Sequence, residues 1–153
     1  MNASATVQRF GPLIARILLA QIFIISGYGK FSNFAGTAAF MAGAGLPFAK
    51  ILLVLTIALE VGGGILLVLG WQARWLAAAF FGFTFLAAWI FHPFWNSDAG
   101  SVISQINDFM KNLAIMGGML YVITHGAGPL SLDSRRAAAN AAPAAVPKRK
   151  HKK

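Results

Sequence analysis

The stretch FAKILLVLTIALEVGGGILLVLG, residues 48–70, decides the fold class of this chain. Its only charged side chains are Lys50 near the start and Glu60 near the middle. An α-helix of this length is about 34 Å long, and the hydrocarbon core of a bilayer is about 30 Å thick. Apolar side chains surround the whole helix instead of forming one stripe, which is typical of a buried or membrane-spanning helix. The stretch therefore predicts a helix that crosses a bilayer.

Three further segments have the same character: residues 10–28, 75–91 and 109–125. The segment 75–91 contains no charged residue, and His92-Pro93 ends it because a residue before proline disfavours helical dihedral angles. Within the last segment the apolar run from Phe109 to Thr124 has about 16 residues, slightly fewer than the usual ~17–25 of a span. Together the four segments predict an all-α, integral membrane four-helix bundle within residues 1–132.

Composition supports this fold class and excludes several kinds of chemistry. Hydrophobic residues make up 58% of the chain and charged residues 11%, whereas a soluble domain carries roughly 25% charged residues. The absence of cysteine excludes disulfide scaffolds, thiolate metal sites and iron–sulfur clusters. The three histidines lie at different levels of the predicted bundle and in its tail, so no two of them can ligate one haem iron. We therefore predict no metal site.

The basic residues are concentrated at the C-terminus. The net charge is +9, and seven of the 13 lysines and arginines lie at or after Arg135. From Asp133 the chain consists mainly of Ala, Pro, Arg and Lys, so residues 133–153 are predicted to form a disordered tail. A nucleic-acid-binding protein would carry its basic residues across a folded face, so nucleic acid is not an expected partner. The tail either binds anionic lipid or only fixes topology and solubility.

The distribution of lysine and arginine between the loops predicts the orientation in the membrane. One side carries Arg9, Arg74, Arg135, Arg136 and the cluster Lys148–Lys153, and the other carries Lys30, Lys50 and Lys111. Cytoplasmic loops of membrane proteins are enriched in Lys and Arg. Both termini are therefore expected in the cytoplasm.

Glu60 is the clearest candidate for a functional group inside the membrane. A charged residue at mid-membrane costs about 2.5–3.5 kcal/mol on insertion scales and therefore requires a partner or a function. Thr56 shares its helix face, and Arg16 of the first span lies at a level that its long side chain can bridge. We predict that Arg16, Glu60 and Thr56 form an intramembrane polar site with an Arg16–Glu60 ion pair. Both a structural and a functional role remain open for this pair.

A second group of polar residues collects at the other ends of the spans. We call this group the outer mouth; it comprises Lys30, His92, Asp108, Lys111 and Asn112. One interpretation is helix capping combined with lysines that reach the interface. The other is a polar opening that binds a ligand or passes protons.

Several short motifs, in this order and spacing, resemble the DoxX family of small bacterial inner-membrane proteins. They are Arg16 with Ser26-Gly27 and Lys30, Gly45-Leu46-Pro47, Glu60-Val61-Gly62-Gly63-Gly64, Leu69-Gly70 with Arg74, Phe109-Met110-Lys111-Asn112-Leu113, and Gly126–Asp133. The resemblance covers about Leu13 to Asp133. It implies a four-helix membrane protein, and some relatives are linked to redox systems, including a thiosulfate:quinone oxidoreductase subunit and an oxidative-stress complex. Relatives that act through cysteine pairs are not matched.

Two functional interpretations follow, and the sequence leaves open whether the chain is an enzyme. In the first, the chain is a quinone-linked subunit or accessory of a membrane oxidoreductase system, with a soluble or membrane oxidoreductase as partner. No cofactor is evident from the residues themselves, so the quinone is implied by the resemblance alone. In the second, the chain is a non-catalytic membrane scaffold or a module through which a small solute permeates.

Overall fold

The computed structural model describes residues 2–141, and this part of the chain is helical and contains no β-strand. The helices are α1 (Ala3–Ser32), α2 (Phe34–Gly43), α3 (Ala49–Leu69), α4 (Ala73–Phe91), α5 (Val102–His125) and α6 (Leu132–Ala141), with a 3₁₀ turn at Phe94–Asn96. The all-α fold class predicted from the sequence is confirmed.

The four long helices α1, α3, α4 and α5 run alternately up and down. At the end that we call the Lys30 end, the His92 ring after α4 meets the Gln105 side chain in α5. At the opposite end, the Arg16 end, the Arg74 guanidinium in α4 donates to the carbonyl of Ile123 in α5. Helix α1 packs mainly against α3, and α4 packs mainly against α5.

The main hydrophobic core joins all four long helices. Its centre includes the Phe23 and Phe80 rings, whose centroids lie 4.1 Å apart. The other buried members are Ala20, Leu67, Ala73, Ala77, Met119, Val122 and Ala127. A second, smaller core places Ala38 and Met41 of α2 against Leu53 of α3. The short helix α2 is thereby attached to the Lys30 end of the bundle.

The outer surface of the bundle is apolar. Ile25, Leu55 and Leu86 are 68%, 60% and 57% exposed, and many other large apolar side chains also point outward. Such a surface is rare on a soluble monomer and is the expected contact with lipid. Three helical segments, Ala3–Ser32, Ala49–Leu69 and Ala73–Asn96, are long and apolar enough to cross a membrane. Helix α5 is not among them, so the fourth crossing stays a prediction.

Two helices begin earlier than the predicted spans. Helix α1 starts at Ala3 instead of residue 10, because the Asn2 side chain caps it by accepting from the Ala5 amide at 3.0 Å. Helix α5 starts at Val102 instead of residue 109, directly after a turn in which the Asp98 carboxylate accepts from the Ser101 amide at 2.9 Å. Hydropathy locates the apolar part of a helix, whereas these polar first turns are set by local hydrogen bonds.

The structure also differs from the sequence-based expectation at the start of the predicted disordered tail. Residues 133–141 belong to helix α6. The Asp133 carboxylate accepts from the amides of Gln72 and Ala73 at 2.8 and 2.9 Å, and the Asp133 amide donates to the Gly70 carbonyl at 3.0 Å. These bonds attach the helix to the turn between α3 and α4, which composition alone does not reveal. Residues 142–153, including the Lys148–Lys153 cluster, lie outside the described residues.

A π-helical segment, Ala58–Gly63, interrupts α3 near its middle. Short π segments are rare features inside α-helices and are frequent at functional sites. Here the segment contains Glu60, which is buried together with Gly63 and Gly64. The segment therefore turns a carboxylate into the interior of the bundle.

Candidate functional site

A cavity of about 620 Å³ lies inside the Lys30 end of the bundle. Its volume falls within the roughly 300–1,000 Å³ of typical small-molecule sites. Aromatic and aliphatic side chains form most of its walls, among them Phe23, Phe40, Phe83, Phe91 and Ile115. Its polar lining residues are Ser26, Lys30, Thr37, Thr56, Glu60, Thr84, His92, Gln105, Lys111 and Asn112.

The cavity brings together the two groups of residues that the sequence analysis kept apart. Thr56 and Glu60 of the predicted intramembrane site line the same space as Lys30, His92, Lys111 and Asn112 of the outer mouth. Two predicted residues do not line it: Asp108, which contacts the lining residue Lys111, and Arg16, which belongs to the other end of the bundle. The structure thus places six of the eight candidate residues on one cavity.

Glu60 forms an ion pair with Lys30. The Lys30 ammonium donates to Glu60 Oε1 at 2.9 Å and to the Ser26 hydroxyl at 2.6 Å. Glu60 is only 2% exposed, whereas the side chain of Lys30 is 26% exposed. The second carboxylate oxygen, Glu60 Oε2, is buried and has no hydrogen-bond partner. A buried acceptor without a partner is unusual in proteins and indicates a missing donor.

Gly27 allows α1 and the π segment to approach closely enough for this pair. A Cβ atom at Gly27 would lie 2.8 Å from Val61 Cγ2 and 2.9 Å from Glu60 Cβ, which is closer than real Cβ contacts. Because glycine lacks that atom, the backbone of α1 passes directly over Glu60. The Ser26-Gly27 pair therefore has two roles: Ser26 holds the Lys30 ammonium, and Gly27 makes room for the carboxylate.

Thr84 provides a second buried polar atom without a partner. It lies in the middle of α4, is 2% exposed and lines the cavity. Its hydroxyl oxygen, Oγ1, makes no hydrogen bond in the described chain. The sequence analysis did not single out Thr84, although it is the only hydroxyl-bearing residue in the apolar segment 75–91. Ser26 and Gln105 were also not among the predicted site residues.

Asp108 contacts three of the other four residues of the outer mouth. Its carboxylate accepts from the Lys111 ammonium at 2.7 Å, and its other oxygen lies 3.9 Å from His92 Nδ1. The side-chain amide of Asn112 donates to the main-chain carbonyl of Asp108 at 2.9 Å. His92 Nδ1 also lies 3.0 Å from Gln105 Oε1. Asp108 therefore contacts Lys111, His92 and Asn112, which line the cavity, without lining it itself.

The predicted ion pair between Arg16 and Glu60 is wrong. Arg16 is 1% exposed and donates to the main-chain carbonyls of Pro12, Leu67 and Leu130. Helical side chains point toward the N-terminus of their helix. On α1 this direction leads the Arg16 side chain away from Glu60 and leads the Lys30 side chain toward it. Lys30 is therefore the partner, and Arg16 is a structural residue of the opposite end.

The sequence profile of the DoxX family matches residues 11–93, which is more than half of the chain. The chain belongs to the DoxX family. The matched range includes Lys30, Glu60, Thr84 and His92, so most of the cavity wall lies within the family domain, whereas Gln105, Lys111 and Asn112 follow it.

Two curated relatives cover most of this DoxX chain. It is 40% identical over 123 residues to "Inner membrane protein YqjF" of Escherichia coli (strain K12), covering 80% of this chain and 89% of the relative. It is 38% identical over 123 residues to "Inner membrane protein YphA" of the same organism, covering 80% and 88%. A more distant similarity, 29% over 96 residues, links it to "Surfeit locus protein 4 homolog" of Schizosaccharomyces pombe, of which it covers 31%. No solved structure matches the chain.

The cavity of this DoxX protein is lined by apolar walls and a few charged groups, and its described residues offer few ligands for a metal ion. Among residues 2–141, no cluster of three or more His, Cys, Asp and Glu side chains could hold a metal ion. The cavity instead combines aromatic walls with two ammonium groups, Lys30 and Lys111, and one buried carboxylate, Glu60. Such a combination suits a ligand with a flat apolar body and a few polar atoms.

Proposed function

We propose that the cavity binds the ring of a lipid-soluble quinone, and that the chain acts as a quinone-linked subunit or accessory of a membrane oxidoreductase system. The observation that supports this most directly is the burial of Glu60 in a largely apolar cavity, with one carboxylate oxygen lacking a partner. A quinone is a flat ring with two polar oxygens and an apolar tail, so its ring suits the aromatic walls and its tail suits the lipid around the bundle.

The ring oxygens require nearby proton donors and acceptors. Lys30 and Lys111 supply ammonium groups, and Glu60 supplies a carboxylate that can accept a proton. The chain contains no cysteine, so it has no dithiol pair to carry electrons. The electrons of a redox reaction would therefore pass between the bound quinone and a soluble or membrane oxidoreductase partner. In this proposal the chain binds the ring and manages its protons.

The proposal includes a location and an orientation. The two E. coli relatives are named inner membrane proteins, and we place this chain in a bacterial inner membrane with both termini in the cytoplasm. The basic tail would then face the anionic lipid of the cytoplasmic leaflet. Reporter fusions at Ser97 and at the C-terminus test the orientation, because an exported C-terminal reporter would contradict it.

The binding proposal is tested by purifying the full chain gently and extracting its lipids for mass spectrometry. We expect about one quinone per chain in the natural protein. Ala87→Phe places a ring into the cavity wall and should reduce the amount of bound quinone per chain severalfold. Ala79→Phe, on the exposed face of the same helix, is the matched control and should retain it.

Two results would overturn the quinone proposal. One is a well-folded natural protein that contains no quinone and does not bind added quinone. The other is equal retention by Ala87→Phe and Ala79→Phe. Reproducible co-purification of an oxidoreductase without any quinone would instead support the non-catalytic scaffold. Permeation of a small solute is less well supported, because buried Arg16 and its carbonyl partners occupy the interior at the opposite end.

A further inference from the structure

The two unpartnered atoms of the cavity, Glu60 Oε2 and Thr84 Oγ1, restrict the chemistry of the ligand. Both belong to side chains that are 2% exposed and that line the cavity, so a partner for either atom has to come from the cavity. Each unsatisfied buried polar atom destabilises the folded chain. A ligand that completes both is therefore favoured over one that completes neither.

The missing partner of Glu60 must be a hydrogen-bond donor. The Lys30 ammonium lies 2.9 Å from Oε1 and forms an ion pair with the carboxylate. An ionised carboxylate only accepts hydrogen bonds, so Oε2 needs an O–H or N–H group. The nearest described ammonium is already engaged with Oε1 and with Ser26, at 2.6 Å from its hydroxyl. Thr84 is less restrictive, because a hydroxyl can donate or accept.

We infer that the cavity binds the reduced, hydroxyl-bearing form of the ring, a hydroquinone, in preference to the oxidised quinone. This inference rests on the proposed function and deepens it. A hydroquinone hydroxyl donates a hydrogen bond to Glu60 Oε2. Its oxygen still has lone pairs that can accept a hydrogen bond from a hydroxyl such as that of Thr84. A quinone presents only carbonyl acceptors, which leave Glu60 Oε2 unsatisfied and bring lone pairs against the carboxylate.

The test compares three ligands on the natural full-length chain in lipid nanodiscs under argon, by calorimetric titration. The ligands are a short-tailed hydroquinone, the corresponding quinone, and the dimethyl ether of the hydroquinone, which keeps the ring but lacks the O–H donors. A hydrogen bond to a charged group corresponds to about tenfold or more in affinity. We expect the hydroquinone to bind at least tenfold more tightly than either of the other two.

Two variants connect this preference to the named atoms. Glu60→Gln replaces one oxygen by an N–H₂ donor, so the preference for hydroquinone should disappear and quinone binding should improve. Thr84→Val should weaken hydroquinone binding severalfold, whereas Thr124→Val, whose exposed hydroxyl bonds only within its own turn at the Arg16 end, should not change it. If Glu60→Gln fails to fold, the three-ligand comparison on the natural chain still decides the question.

The outcomes separate the inference from the proposed function. Binding of quinone or of the dimethyl ether as tight as that of hydroquinone overturns the inference and leaves quinone binding intact. A preference that persists in Glu60→Gln also overturns it, because the donor would then meet another residue. Failure of all three ligands to bind overturns both.

Discussion

Each end of the bundle holds one basic side chain of α1, fully buried for Arg16 and half-buried for Lys30, and the contacts of the two differ. At the Arg16 end, the guanidinium donates to three main-chain carbonyls on α1, on α3 and on the loop before α6. At the Lys30 end, the ammonium meets a carboxylate beside a cavity, and the carboxylate keeps one oxygen unpartnered. At the Arg16 end the guanidinium finds its hydrogen-bond partners within the chain, whereas at the Lys30 end one carboxylate oxygen has no partner in the chain.

This difference teaches how to separate structural from functional charges within a membrane. Both kinds are costly to bury, so burial alone does not distinguish them. The distinction lies in whether the chain satisfies every polar atom. The Arg16 end adds further closed contacts: Asp133 accepts from two amides, and Arg74 donates to two carbonyls of α5. Only the Lys30 end combines a cavity with unpartnered atoms among residues 2–141.

Arg16→Met should have the largest effect on folding, because it removes the buried guanidinium of the Arg16 end. It removes a buried charged donor from three carbonyls; a hydrogen bond from a charged group, such as the short one to Leu130, is worth about 1.5–3 kcal/mol, and the other two are long at 3.4 Å. We expect the yield of folded chain in membranes to fall at least tenfold, measured by fluorescence-detected size exclusion. Arg9→Met, on an exposed part of the same helix, should leave the yield unchanged. Normal yield of Arg16→Met would show that the closed end is dispensable.

Gly27→Ala should have the second-largest effect on stability, because it pushes α1 away from the π segment at the Lys30 end. The added methyl group would overlap Glu60 Cβ and the Val61 side chain, and overpacking of this kind costs about 1–3 kcal/mol. We expect a lower midpoint of thermal unfolding in detergent. Gly29→Ala meets no atom within 4 Å and is the control, which should be neutral or slightly stabilising. Equal midpoints for the two variants would contradict the close approach at Gly27.

A double-mutant cycle on Lys30→Met and Glu60→Gln sharpens the comparison between the two basic residues. We expect a coupling free energy of about 1–2 kcal/mol for Lys30 with Glu60, moderated by the partial exposure of Lys30. The same cycle on Arg16 and Glu60 should give a value near zero, because Arg16 contacts carbonyls instead. Thermal unfolding of the four chains of each cycle measures both. The reverse ranking would restore the pair that the sequence suggested.

Asp133→Asn should give the smallest effect of the four. The substitution removes the charge and one of the two acceptor oxygens that hold the Gln72 and Ala73 amides at the start of α4. Loss of a helix cap costs about 1 kcal/mol. Faster hydrogen exchange at those two amides is the expected signature, with Asn140→Ala on exposed α6 as control. Unchanged exchange would mean that the turn between α3 and α4 does not depend on Asp133.

The fold could be predicted from the sequence because long apolar segments have few alternatives in a bilayer. The position of Glu60 and the composition of the outer mouth followed from the same segments. The partner of Glu60 could not be predicted from axial level alone. Levels counted from the ends of the apolar segments placed Arg16 too close to Glu60. In the structure Gly27 lies against Glu60, and Arg16 is about 16 Å away along α1 beside Gly70, whereas Lys30 is one turn from Gly27.

Other parts of the site depend on packing that a linear pattern does not contain. Thr84 is an isolated hydroxyl in an apolar helix, and its value as a site residue emerges only when it shares a cavity with Glu60. Helix α6 could not be predicted for a similar reason. Its composition resembles that of a linker, and the hydrogen bonds that anchor it go to a turn some 60 residues away in sequence. Local composition predicts spans well and long-range hydrogen bonds poorly.

The π segment of α3 has a consequence for how this chain can accept a deletion. A π turn holds about one more residue than an α turn within the same rotation. The first half of α3 directs Leu53 toward α2, and the second half directs Gly64 and Leu67 toward α1. Deleting one residue from Ala58–Gly63 would therefore restore a uniform α-helix and leave both halves facing their present neighbours. Because Glu60 lies inside the segment, such a deletion separates the placement of that carboxylate from the packing of the helix.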